Sequence, residues 1–183
     1  PAMQIALEKF RACSMEDIRH FSGYIVKGER FQIDFLGVHY EVEYPSGNFI
    51  PEPSLFGELP VFVQILILHY LANTTEIIYE GKFISFKELP GGNIYIQPFT
   101  NRSILPLAKL FGVQPQRLIE VASRIGGRQT DLGDAGVTID VFPRIPITLI
   151  IWEGDEEFAA SANILFDASA SQLLPTEDYA VLA

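Results

Sequence analysis

Residues 137–152 read VTIDVFPRIPITLIIW. Apolar and polar side chains alternate from Val137 to Val141 and Phe142 follows, whereas Ile147 to Ile151 is apolar on both faces except at Thr148. These patterns predict two β-strands, the second an inner strand with a neighbour on each side. The four residues between them, Pro143 to Pro146, are too few for a parallel crossover, so the strands are expected to be antiparallel. In a four-residue hairpin register Asp140 falls on the face of Phe142 and Leu149, making it a candidate buried carboxylate with Arg144 as its nearest cation.

Working outward, Phe31, Ile33 and Phe35 alternate with polar residues, as do Val38, Tyr40, Val42 and Tyr44. A turn at Leu36-Gly37 would pair Phe35 with Val38, Ile33 with Tyr40 and Phe31 with Val42, leaving Asp34 opposite His39 and Arg30 opposite Glu43. Pro45 to Pro60 reads as loop, broken by Ser46-Gly47, Pro51, Pro53 and Gly57. Val61 to Leu71, opened by Pro60, is apolar nearly all round and predicts a central buried helix carrying His69.

Met3, Ala6, Leu7, Phe10 and Cys13 recur at helical spacing, and Ser14-Met-Glu-Asp17 has the form of a helix start. Short strands are expected at Ile77–Tyr79 and Phe83–Phe86, with a turn at Pro90-Gly91-Gly92 into Ile94–Gln97. Two helices follow, one capped by Thr100 or Asn101 and stopped at Gly112, the other running from Pro115 to Gly126-Gly127. Asp167 and Thr176 are expected to cap two short terminal helices. With no repeat or linker, the expectation is a single domain over residues 1–183. Its class is α+β, a mostly antiparallel sheet packed by a central buried helix and peripheral helices.

Charge is distributed unevenly. The net charge of the chain is -10, from 23 acids against 13 bases, and the segment from Gln129 to Ala183 holds ten of the acids and one base, Arg144. Everything before Gln129 is nearly neutral. That balance argues against nucleic acid as a partner, because a polyanion would be repelled. The longest apolar stretch, Val61 to Ala72, is broken by Gln64 and His69 and falls short of the ~20 residues a membrane span requires. A single cysteine, Cys13, rules out an internal disulfide and any iron–sulfur cluster held by this chain's cysteines alone, and a reducing cytoplasm is the simplest compartment.

Motifs for nucleotide or zinc chemistry are absent: the glycine pairs lack a strand–turn–helix context, and no His-Glu-x-x-His occurs. The acidic third supplies the candidates. Asp131 and Asp134 lie in a glycine-rich turn, Glu153, Asp155, Glu156 and Glu157 follow directly on the inner strand, and Asp167 lies further on. Clustered carboxylates are the donors a hard divalent cation takes, although their spacing differs from a calcium-binding helix–loop–helix. The same residues equally make a solvated acidic surface for a basic partner. His69 and Asp140 are the candidate buried polar groups.

The runs Phe83–Gly92 (FISFKELPGG), Leu132–Ala135 (LGDA), Leu149–Phe158 (LIIWEGDEEF), Ser161–Ser171 (SANILFDASAS) and Leu174–Leu182 (LPTEDYAVL) resemble a family of uncharacterised prokaryotic domains of about this length, from anaerobic bacteria and archaea. Some relatives accompany iron–sulfur modules of the kind found in corrinoid proteins. The resemblance implies a one-carbon or corrinoid-linked setting, with any cluster on a partner protein, and it supplies no catalytic residues. The expected function is a non-catalytic accessory or ligand-binding domain, with no cofactor required by the sequence. The alternatives are a cation-dependent enzyme built on the acidic cluster and a haem or corrinoid binder acting through His69.

Overall fold

The computed structural model describes residues 1–50 and 59–183, so the breakers expected at Pro51, Pro53 and Gly57 lie outside the described residues. It is α+β, with two antiparallel sheets, and divides into two compact units. The first comprises Pro1–Ile77 together with Phe142–Arg144, and the second comprises Ile78–Val141 and Ile145–Ala183. Among the described residues no helix is long and apolar enough to cross a membrane.

In the first unit helices α1 (Ala2–Ala12) and α2 (Met15–Phe21) precede strands β1 (Ile25–Lys27), β2 (Arg30–Phe35), β3 (Val38–Glu43) and β4 (Phe49–Ile50), and helix α3 (Val61–Asn73) follows. Ser14 caps α2 by accepting a hydrogen bond from the Asp17 backbone N–H at 3.4 Å. The strands form one sheet in the order β1-β2-β3-β4. The β2–β3 register is the expected one, Phe35 opposite Val38, Ile33 opposite Tyr40 and Phe31 opposite Val42. Phe31, Ile33, Val42 and Phe10 of α1 are sealed from solvent, as are Ile67, Leu68, Tyr70 and Leu71 of α3, the expected central buried helix. Packing an apolar sheet face and the α1 stripe against a helix that is apolar nearly all round removes all three from water.

On the wet face His39 Nδ1 stands 3.0 Å from Asp34 Oδ1, as expected. Arg30, although opposite Glu43 in the register, donates instead to Glu41 at 3.2 Å. Glu43 is engaged by the Ser46 hydroxyl at 2.9 Å, which leaves the diagonal partner for the guanidinium. The turn itself runs through Leu36 at φ +49° and Gly37 at φ +81°. A leucine in the left-handed region carries a steric cost of about 1 kcal/mol that asparagine largely avoids. Leu36→Asn is therefore expected to raise the stability by about that amount, read as a higher urea midpoint at unchanged slope.

The second unit begins at strand β5 (Phe83–Ser85) and continues through helices α4 (Gly92–Phe99), α5 (Leu105–Phe111) and α6 (Gln116–Ser123). Strands β6 (Arg128–Thr130), β7 (Ala135–Phe142, whose last residue belongs to the first unit), β8 (Ile145–Trp152) and β9 (Ser161–Asp167) and helix α7 (Thr176–Leu182) complete it. The sheet order is β5-β9-β8-β7-β6, so β8 is the inner strand the sequence predicts. Thr148, its one interruption, is buried and hydrogen-bonded to Thr138 at 2.7 Å.

The fold departs from several expectations. Ile77–Tyr79 is not a strand, and Ile94–Gln97 is helical, because the residue that must be buried is Phe99, stacked on Phe86 at 3.9 Å. The helix does not start afresh at Thr100 or Asn101. It passes through a π-helical turn at Thr100–Ile104, flanked by Pro98 and Pro106, into α5. A π turn between two residues that cannot donate a backbone bond absorbs the break without ending the helix. Strands β1, β4, β6 and β9 are additions that the sequence pattern does not predict, and β4 lies within the stretch from Pro45 to Pro60 expected to be loop, where Phe49 is buried and pairs with Val42 of β3. Thr176 is the first residue of α7 rather than its cap, and its hydroxyl donates to the Pro90 carbonyl at 2.6 Å. Asp167 accepts from Ser169 ahead of a 3-10 turn at Ala170–Gln172, not an α-helix.

Candidate functional site

The acidic residues of the last third do not act alike. The loop after β8 turns back on itself, with the Asp155 carboxylate accepting the backbone N–H groups of Phe158 at 2.7 Å and Glu157 at 2.8 Å. Those two bonds hold the Asp155 carboxyl below the usual carboxylate range. The Asp155 N–H donates in return to the Phe158 carbonyl at 2.9 Å, closing the turn. Asp134 performs a second structural task. Its carboxylate accepts the Glu153 N–H at 2.7 Å and its own N–H reaches the Ile151 carbonyl at 2.9 Å, which ties the 131–134 turn to the end of β8. Gly154 donates to the Gly112 carbonyl at 3.3 Å, fixing the loop against the end of α5.

Asp167 lies at the far end of β9 from Ser161, which pairs with Trp152, and six strand steps separate it from the acidic loop by about 20 Å. Burial opposes its charge, but hydrogen bonds from Ser169 (hydroxyl 2.5 Å, backbone 3.0 Å), Glu80 (3.1 Å) and Gly81 (2.9 Å) outweigh that opposition and lower its pKa. It pins the segment before β5 to the segment after β9. It does not join the cluster.

With Asp134 and Asp155 committed to backbone groups, four expected residues remain: Asp131, Glu153, Glu156 and Glu157. All four are exposed, and no described residue donates a hydrogen bond or an ion pair to their carboxylates. Among the described residues no three His, Cys, Asp or Glu side chains come together in a way that would hold a metal ion. Exposed apolar side chains share these segments, with Phe158 69% accessible in the loop, Trp152 41% accessible at the end of β8 and Val113 81% accessible beyond α5. Beside them a cavity of about 430 Å³ is lined by Val113, Pro115, Arg117, Glu120 and Glu153. Sequence reasoning missed this apolar component, because nothing in the pattern distinguishes an unpartnered Phe158 from a buried one.

Of the two candidate buried polar groups, Asp140 requires correction. Asp140 is exposed, and its partner is Arg128, which donates to both carboxylate oxygens at 2.6 and 2.9 Å, rather than Arg144. The reasons are the unexpected strand β6, which lays Arg128 opposite Thr138, and a hairpin turn of two residues rather than four. His69 is half-buried on α3, one position from the sealed Leu68 and Tyr70.

A family model described as a domain of unknown function, DUF3786, matches residues 14–183. The chain belongs to the DUF3786 family. No curated protein and no solved structure matches it. The DUF3786 match spans both sheets and every candidate residue, the acidic loop included.

Proposed function

We propose that this DUF3786 domain is a non-catalytic accessory module that binds a basic partner protein through the acidic end of its second sheet. One observation carries the reading: Glu153, Glu156 and Glu157 project from a loop whose own fold is held by Asp134 and Asp155, with no internal partner among the described residues. Free carboxylates on a braced loop steer and orient a positively charged surface, and the exposed Phe158 and Trp152 beside them supply the apolar anchors that such an interface needs. The division of labour also separates charge from scaffold, so the binding residues can be changed without unfolding the loop. The resemblance read in the sequence makes an iron–sulfur or corrinoid protein of an anaerobe the first partner to test.

The decisive experiment compares the native chain with a Glu153→Gln, Glu156→Gln, Glu157→Gln variant that leaves Asp134 and Asp155 intact. Partners captured from the source organism are identified by mass spectrometry, and their affinities are measured at low and high salt. The expected result is a loss of at least about tenfold in affinity, an effect of roughly 1.4 kcal/mol, with thermal unfolding unchanged. Undiminished binding of every partner by the variant would overturn the reading.

A further inference from the structure

The first unit contains an opening apart from this acidic surface. It is a cavity of about 390 Å³ lined by His20 and Phe21 at the end of α2, Thr75, Glu76 and Ile77 beyond α3, and Arg144. Arg144 is the single base beyond Arg128, and it occupies the two-residue turn between β7 and β8. Its side chain is half-buried, yet it makes no hydrogen bond or ion pair with any described residue. A guanidinium partly removed from water and left unpaired has lost hydration without compensation, a state that a carboxylate in the cavity would relieve.

The position of Arg144 is built rather than incidental. Gly23, just after α2, sits at φ +78°, where a Cβ would lie 2.7 Å from the Pro143 Cβ and 3.7 Å from the Arg144 Nε. Only a glycine admits the turn that close, and the neighbouring proline restricts the backbone that presents the guanidinium.

The opposite charge in the cavity decides the ligand class. Glu76 lines the same space as Arg144 without bridging to it, so a polyanion such as phosphate would meet repulsion there. A molecule carrying both charges satisfies both groups. We propose that this cavity binds a small zwitterion of the α-amino-acid type, its carboxylate on the Arg144 guanidinium and its ammonium on the Glu76 carboxylate. The Thr75 hydroxyl and the His20 ring are the additional polar groups of the wall, and Phe21 and Ile77 offer apolar surface to a side chain. The volume falls within the ordinary range for small-molecule sites.

Isothermal titration of the full chain with each of the common α-amino acids, with acetate, methylamine and inorganic phosphate alongside, tests the assignment. At least one amino acid is expected to bind at sub-millimolar concentration, with acetate and methylamine weaker by about tenfold or more. Arg144→Gln and Glu76→Gln are each expected to weaken that binding by at least about tenfold. Glu76 is exposed, so its variant keeps the test sound even if Arg144→Gln perturbs folding. The proposal is overturned if no amino acid binds at millimolar concentration, if acetate or phosphate binds as tightly, or if Glu76→Gln leaves the affinity unchanged.

Discussion

Replacing Phe142 by alanine is expected to lower the stability by about 3–5 kcal/mol, among the largest effects of any single substitution in the chain. Its ring is wholly buried and lies parallel to that of Tyr70, with centroids 4.4 Å apart and an interplanar angle of 6°. Phe35 approaches the same ring at 5.4 Å. Tyr70 is held in turn by its hydroxyl, which donates to the Ser22 carbonyl at 2.6 Å, and by Tyr24 at 5.9 Å. Burial pushes the Tyr24 phenol well up from its ordinary pKa, consistent with a dry core. Truncating Phe142 removes the stacked face and leaves a void that these anchored rings cannot collapse to fill. Urea unfolding followed by far-ultraviolet circular dichroism measures the loss, and a change below about 1 kcal/mol would show that the site relaxes.

Phe166→Ala is expected to cost about as much in the second unit, again about 3–5 kcal/mol. Phe166 of β9 lies at the centre of an aromatic cluster, 5.2 Å from Tyr179 and 6.4 Å from both Phe86 and Phe99. All four rings are sealed from solvent, and the Tyr179 hydroxyl is satisfied by the Ala170 carbonyl at 2.7 Å. We also propose that the chain unfolds as a single cooperative domain, because its path leaves the second unit at Phe142 and returns to it at Ile145. On that proposal both variants shift the same transition, seen alike by calorimetry and by Trp152 fluorescence. Two separable transitions would count against it.

Where binary pattern and turn chemistry point the same way, the local reading survives in detail. The β2–β3 register follows from Phe31, Ile33, Phe35, Val38, Tyr40 and Val42, because a one-residue slip would carry the whole apolar set to the wet face. The inner position of β8 follows from its apolar run in the same way. Ile94–Gln97 misleads because its period-two pattern describes residues that remain largely exposed, while the helix is specified by the burial of Phe99 just beyond it. Edge strand β6 offers no apolar alternation, so Asp140 cannot be matched with Arg128 from the sequence.

The candidate site divides along the same line. Composition alone locates the charge, since ten acids against one base beyond Arg128 is a matter of counting. Counting cannot separate Asp134, Asp155 and Asp167, which close loops on backbone N–H groups, from Glu153, Glu156 and Glu157, whose carboxylates have no donor among the described residues. Nor can it bring Arg144 and Glu76 into the lining of one cavity. The sequence determined the fold class, the register of β2 and β3 and the acidic end, because solvent sorts side chains by local periodicity and charge is additive along a chain. Tertiary structure alone decided which of those charges are spent within the fold, because a carboxylate's role depends on donors that can be remote in sequence, as Gly81 is from Asp167.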